Sequence, residues 1–191
     1  QFVPSDWYAD RVNQMSALAE DGDYLIPEGG SNALGAWGYI RAASELVGQW
    51  HTPPTSIIAA TGSGGTIAGL TIGMHREGFR DVPVYGVCAC DDSLYFQAAC
   101  AKISTNAHER WPELPRLESN DFRFVEGYVG RGYALWTPEE MNDLKMVMRN
   151  TGLVLDPVYT NKAFQALLRE PELFGTSPLF IHTGGIFGLL A

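Results

Sequence analysis

The run SIIAAT at residues 56–61 limits the possible folds of this chain more than any other stretch. It is short, continuous, largely apolar and rich in β-branched residues, which suits a strand buried on both faces of a parallel sheet. TGSGGT closes it, and IAGLTIGMHREG follows with the spacing of a helix. PVYGVCAC at 83–90 reads as the next buried strand, and Asp91 or Asp92 as the cap of the helix after it. Further strands are expected at FRFVEGY and SPLFIHT. Strands and helices in this alternation predict an α/β fold with a doubly wound, mainly parallel sheet and right-handed crossovers.

The remaining elements fit around that sheet. Residues 5–20 read as an amphipathic helix capped by Ser5, and YLIP at 24–27 as a short strand. A helix is expected from Ser31, with Leu34, Trp37, Ile40 and Ala43 to Leu46 at helical spacing, Ser31 or Asn32 as its cap, and Pro53 and Pro54 beyond its end. TPEEMNDLKMVMRNTG predicts a helix over 137–152, with Thr137 as cap, Pro138 in the first turn and Gly152 closing it. A chain of 191 residues with 46% hydrophobic and 18% charged residues can bury one sizeable core.

Charge and cysteine usage narrow the function classes. A net charge of -9 with no run of Lys or Arg argues against a nucleic-acid or anionic-membrane partner and favours a small molecule. No uninterrupted apolar stretch reaches the roughly 18 residues of a membrane span. Cys88, Cys90 and Cys100 lack zinc-site spacing and read as reduced, mostly buried thiols, which suits a cytoplasmic protein. No histidine pair has metal-ligand spacing, so no metal is expected.

In an open α/β sheet, ligands sit beyond the carboxyl ends of the strands. TGSGGT falls there, with Gly62, Gly64 and Gly65 for close backbone approach, hydroxyls on Thr61, Ser63 and Thr66, and a helix N-terminus worth about half a positive charge. It can hold a phosphate, or serve only as a tight strand-to-helix turn. It is neither a P-loop nor a GxGxxG fingerprint, and no lysine follows to reach a nucleotide's outer phosphates. GGSN at 29–32 is a weaker loop of the same kind, and HTGG at 182–185 places the Thr183 hydroxyl beside Gly184, where it could meet a ring nitrogen. DPVYTNKA at 156–163 reads as a stiffened loop aiming Tyr159 and Thr160 together. A phenol there can donate a proton, stack on a flat ligand, have its pKa lowered by a nearby cation, or simply fill the core.

Taken in order, IPEGGSNALGAWGYIRAASEL, IIAATGSGGTIAGL, GYALWTPEEM, GLVLDPVYTNKAF and FIHTGG closely resemble the D-cysteine desulfhydrase and 1-aminocyclopropane-1-carboxylate deaminase family. Those enzymes use pyridoxal phosphate and share the tryptophan synthase β-like fold. The resemblance runs over about residues 24–188. It implies that the loop from Thr61 through Gly62, Ser63, Gly64 and Gly65 to Thr66 binds the cofactor phosphate. It further implies that Thr183, next to Gly184, faces the pyridine nitrogen and that Tyr133 and Tyr159 border the substrate side. GGSN is similar to the phosphate loop of tryptophan synthase, but the long buried strand precedes TGSGGT, so the phosphate is assigned there. Thr160 stands where the deaminases carry Glu and desulfhydrase-like members carry Thr, which favours β-elimination from D-cysteine; Asn161 departs from the family's usual glycine. A small amino-acid substrate and a homodimer are also implied.

That chemistry needs a lysine for a Schiff base, and the chain has only Lys102, Lys145 and Lys162. None matches the family's lysine, which follows an Asn in a GGNK-like motif of the N-terminal segment. The resemblance therefore implies that these residues are the C-terminal, larger-domain part of an enzyme, a single domain here, with the N-terminal segment and most of the smaller domain outside it. Such a portion alone is expected to be inactive. The alternatives are a deaminase of the cyclopropane amino acid and a non-catalytic phosphate-binding module.

Overall fold

Strand β1, Ser56–Thr61, is buried along its whole length because it has neighbours on both sides and helices on both faces. The structure is a computed structural model that describes residues 10–189. In chain order the elements are α1 (Arg11–Leu18), α2 (Ala36–Gln49), β1, α3 (Gly65–Arg76), β2 (Val84–Cys88), α4 (Ser93–Arg110), β3 (Arg123–Val125), α5 (Pro138–Thr151), α6 (Thr160–Arg169), α7 (Pro171–Phe174) and β4 (Pro178–Phe180). The four strands lie in the order β3-β2-β1-β4, and every pairing is parallel. Ile57 pairs with Val84 on one side and Leu179 on the other.

Alternation along β1 divides the core. Ile57 and Ala59 face a cluster built with Ile40 of α2, Ile67 and Leu70 of α3, and Cys100 and Ile103 of α4. Ile58 and Ala60 face the opposite layer, where they meet Val87, Ala163 and Ala166 of α6, and Phe174. The expected α/β sheet flanked by helices is therefore present. Its order has a functional consequence, since β2 and β3 extend from one edge of β1 while β4 returns to the other. The switch in winding direction leaves a crevice at the carboxyl ends of β1 and β4, the place where such sheets bind ligands.

Several local expectations hold. Asp92 caps α4 by accepting from the Tyr95 N–H at 2.8 Å. Thr137 and Glu140 form a reciprocal capping box on α5, which Gly152 ends in the left-handed conformation. Others need correction. YLIP is not a strand: Tyr24, Leu25 and Ile26 are all exposed, the sheet edges are β3 and β4, and the segment runs into a 3-10 turn at Glu28–Gly30. The helix expected from Ser31 begins at Ala36. Asn32 Oδ1 does accept from the Gly35 N–H at 2.8 Å, but Ser31 turns its hydroxyl to the loop after β1 instead. Of the amphipathic helix expected over 5–20, Arg11–Leu18 is helical as α1 but buries no residue, and Ala19 ends it in an extended conformation. Residues 5–9, with the expected Ser5 cap, lie outside those described. Residues from Thr160 onward form α6, where a loop through residue 163 was expected. No described helix is long and apolar enough to cross a membrane.

Candidate functional site

Three residues, Gly62 to Gly64, turn the chain from β1 into α3. Gly64 has φ of 88°, a left-handed geometry that strains any residue with a Cβ. At Gly62 a Cβ would lie 2.6 Å from Tyr159 Cε1, so the absent side chain is what lets the phenol ring close over the loop. Neighbours fix the turn from both sides. The Ser31 and Ser63 hydroxyl oxygens are 2.7 Å apart, and the Gly65 N–H donates to Ser31 Oγ at 3.1 Å. The Cys90 and Cys100 thiols donate to the carbonyls of Gly62 and Gly64 at 3.3 and 3.4 Å. GGSN thus braces the loop after β1.

Within this turn, residues 60–67 enclose about 30 Å³. The amides of Thr66 and Ile67 precede the first i→i−4 bond of α3, in which Ala68 donates to Gly64, so the helix offers them no acceptor. Unaccepted amides, a serine, a threonine and the positive end of a helix together suit one phosphate monoester.

That turn opens into a cleft of about 540 Å³. Gly62, Ser63 and Thr66 form one wall, Tyr133 and Tyr159 a second, and Asp156, Thr183 and Gly184 a third. Tyr159 donates to the Tyr133 hydroxyl at 2.9 Å, with ring centroids 5.9 Å apart and planes inclined at 65°. Burial, then the hydrogen bond to Tyr133, push the Tyr159 phenol above its ordinary value, the reverse of the lowering a cation would cause. The sequence had allowed either role, and this phenol holds its proton.

Two sequence candidates do not reach the cleft. The Thr61 hydroxyl is turned against Gly86 of β2 and is buried without a hydrogen-bond partner, because residue 61 shares the sheet face of Ile57 and Ala59. Thr160 is 1% exposed and donates to Asp156 Oδ2 at 2.6 Å. It opens α6 and contributes nothing to the cleft wall. Asn161, in place of the expected glycine, donates to the Glu140 carbonyl at 3.1 Å and ties α6 to α5.

Asp156 was not singled out from the sequence. Its carboxylate accepts from the N–H groups of Val158 and Tyr159 at 2.8 Å and of Thr160 at 2.9 Å. A side chain at Gly185 would put its Cβ 2.5 Å from Asp156 Oδ2. Asp156 therefore sets the tyrosine loop against the glycines after β4. The Asp-Pro pair at 156–157 is the signal for such a turn.

The lysines lie elsewhere. Lys162 is 4% exposed and donates to the carbonyls of Ala89 and Val129 at 3.0 and 2.7 Å; burial lowers its pKa. Lys102 and Lys145 are exposed on α4 and α5, and none of the three lines the cleft. Cys88 and Cys100 are buried and Cys90 half-buried, all unpaired, and burial raises their thiols to about 12, 12 and 11. Among the described residues no group of three or more His, Cys, Asp or Glu could hold a metal ion.

Known proteins resemble this chain in sequence and in fold. The family model described as "Pyridoxal-phosphate dependent enzyme" matches residues 2–184. A Thermotoga maritima protein named "Putative 1-aminocyclopropane-1-carboxylate deaminase" is 43% identical over 173 residues, covering 88% of this chain and 53% of its own length. The Arabidopsis thaliana "Bifunctional D-cysteine desulfhydrase/1-aminocyclopropane-1-carboxylate deaminase, mitochondrial" is 40% identical over 176 residues, 87% of this chain and 42% of that protein. A crystal structure titled "ACC deaminase homologue" superposes with a TM-score of 0.81 at 29% identity, over 98% of this chain and 57% of the other. The chain thus spans about half the length of the relatives it matches.

Proposed function

This chain belongs to the pyridoxal-phosphate-dependent enzymes, and from that premise we propose that it supplies the cofactor cradle of a lyase acting on a small amino acid, most consistent with D-cysteine desulfhydrase-like β-elimination. The observation that carries the reading is the convergence on one cleft of Gly62, Ser63 and Thr66, the Tyr133–Tyr159 pair, and Thr183.

The residues present fit the cofactor. The amides at the start of α3, with Ser63 and Thr66, would hold the phosphate, and the Thr183 hydroxyl at the end of β4 would meet the ring nitrogen. A bound pyridoxal ring supplies an electron sink at the substrate's α-carbon. A neutral hydroxyl partner leaves the ring nitrogen less protonated than a carboxylate would, which moderates that sink and suits elimination. Tyr159, which donates its hydrogen bond to Tyr133, orients substrate through its ring and leaves the Tyr133 hydroxyl proton as the donor that the pair can offer. Cys90 and Ser31 keep the phosphate loop in its preformed shape.

No lysine of this chain reaches the cleft, so the amine that would anchor the cofactor is assigned to polypeptide outside these 191 residues. In this proposal the chain supplies the larger-domain part of that protein. Thr160 favours D-cysteine over the cyclopropane substrate, because its side chain is closed onto Asp156 and brings no second carboxylate to the cleft. The names of the relatives keep the cyclopropane amino acid as the second reading.

Assaying the full-length protein with both substrates tests this. Sulfide release from D-cysteine that exceeds ammonia release from the cyclopropane amino acid is expected. Turnover of the cyclopropane substrate alone would favour the second reading, and turnover of neither, with no cofactor bound, would contradict the cradle.

A further inference from the structure

Taking an ammonium out of water is expensive unless hydrogen bonds answer it. Lys162, in the first turn of α6, is only 4% exposed, and none of the ion pairs among the described residues involves it. Its Nζ donates instead to two backbone carbonyls, of Val129 at 2.7 Å and of Ala89 at 3.0 Å. Those acceptors belong to segments that separate at the end of the sheet. The pairing of β2 with β3 ends at Val87 and Val125. Ala89 stays beside β1, its N–H donating to the Thr61 carbonyl at 3.1 Å, while residues 126–136 cross to the start of α5 outside any helix or strand.

This crossing segment carries Tyr133. Ala134, next to it, has φ of 56°, a left-handed backbone that a residue with a Cβ keeps only where its surroundings hold it. Among the described residues, the hydrogen bonds that reach residues 128–133 from outside all come from α6 and its two ends. Tyr128 donates to Glu170 at 2.7 Å, Tyr159 donates to Tyr133, and Lys162 donates to Val129. The first two join side-chain tips. Lys162 alone of the three takes hold of the main chain.

We infer that Lys162 is a positioning residue: its ammonium fixes the backbone of the crossing segment to the end of β2 and so holds Tyr133 against Tyr159 on the cleft wall, a role in turnover that rests on the cofactor reading of that cleft. Its second carbonyl precedes Cys90, whose thiol braces Gly62, so one buried cation sets the tyrosine wall in register with the turn after β1.

Lys162→Met keeps most of the stem and removes the donors. In the full-length protein with tyrosine isotope-labelled at Cζ, the Tyr133 and Tyr159 NMR resonances, assigned through the two Tyr→Phe variants, should both move. This readout needs neither cofactor nor turnover. With the substrate that the enzyme turns over, kcat should fall at least about tenfold, the scale of a misplaced group in an active site. In a Tyr133→Phe background the same substitution should cost less than about twofold, because both changes act on one contact. Should Lys162→Met fail to fold, Lys162→Gln, whose amide donors lie one bond nearer the main chain, takes its place under the same criteria. A protein that turns over neither substrate would fail the cofactor reading, and the resonances would still decide the lysine. Tyrosine resonances left in place in the folded variant, or kcat losses that multiply, overturn the inference.

Discussion

Two glycine-rich turns follow neighbouring strands of one sheet, yet they are built to different standards. The turn after β1 is locked. Gly64 is buried, Gly62 is closed over by Tyr159, and serines and thiols bond it from both sides. The turn after β4 is open around Thr183 and Gly184. A Cβ at Gly184 would meet nothing within 4 Å, Thr183 is exposed, and Phe187 just beyond is 81% exposed. The β4 turn rests on the His182 ring, which accepts from the Gly184 N–H at 3.1 Å and meets the Val154 carbonyl at 2.8 Å. A phosphate site gains from a rigid, preorganised donor set, because ordering is then complete before the ligand arrives. In the turn after β4 only Gly185 is packed closely, against Asp156, and the Thr183 side stays exposed.

The contrast can be broken by adding one methyl group to each turn. Gly64→Ala should be the most damaging change. Its left-handed backbone costs about 1–3 kcal/mol, and crowding against Cys100 Sγ at 3.2 Å adds a penalty of similar size, about 1–3 kcal/mol. Gly184→Ala, with φ of 102° but open space, should cost the strain alone. Denaturant melts of the two variants compare them directly, and equal losses would remove the distinction.

Asp156→Ala ranks next. It strips the acceptor from three backbone N–H groups and should destabilise by about 2–4 kcal/mol, the sum of the less exposed unsatisfied donors. It should also loosen Tyr159, visible as weaker near-ultraviolet tyrosine dichroism. Thr183→Ala should change stability by less than about 0.5 kcal/mol, as exposed sites do, while still lowering activity of the full-length protein. A large stability loss would mean that this turn is structural after all.

Alkaline titration sharpens the tyrosine side of the comparison. The Tyr159 pKa is raised, first by burial and then by the bond to Tyr133, so the folded state keeps a proton that the unfolded state releases near pH 10. The associated stability is intact below about pH 10 and is lost as pH rises toward the folded value. Tyr133→Phe should move the phenol's titration down, and an unchanged titration would leave burial as the whole cause.

Much of this was legible in the sequence, and the failures have physical reasons. SIIAAT and its glycine turn announced β1 and the start of α3, because a doubly buried strand tolerates few residue types. The Thr137 cap on α5 was equally clear, and the α4 cap was narrowed to Asp91 or Asp92, of which Asp92 serves. YLIP misled because local strand preference means nothing without an edge to pair with. Thr61 and Thr160 looked like ligands from their place in motifs, but the face of a strand and the first turn of a helix turned both hydroxyls inward. Asp156 was missed because its work is done on the backbone of its own loop.

The central claim, that the preformed turn after β1 holds the cofactor phosphate, is tested most directly by the dissociation constant of pyridoxal phosphate from full-length Thr66→Ala against the unaltered protein. Loss of one hydrogen bond to a charged acceptor should weaken binding by about 1–3 kcal/mol with little change in thermal stability. Unchanged affinity would contradict the assignment.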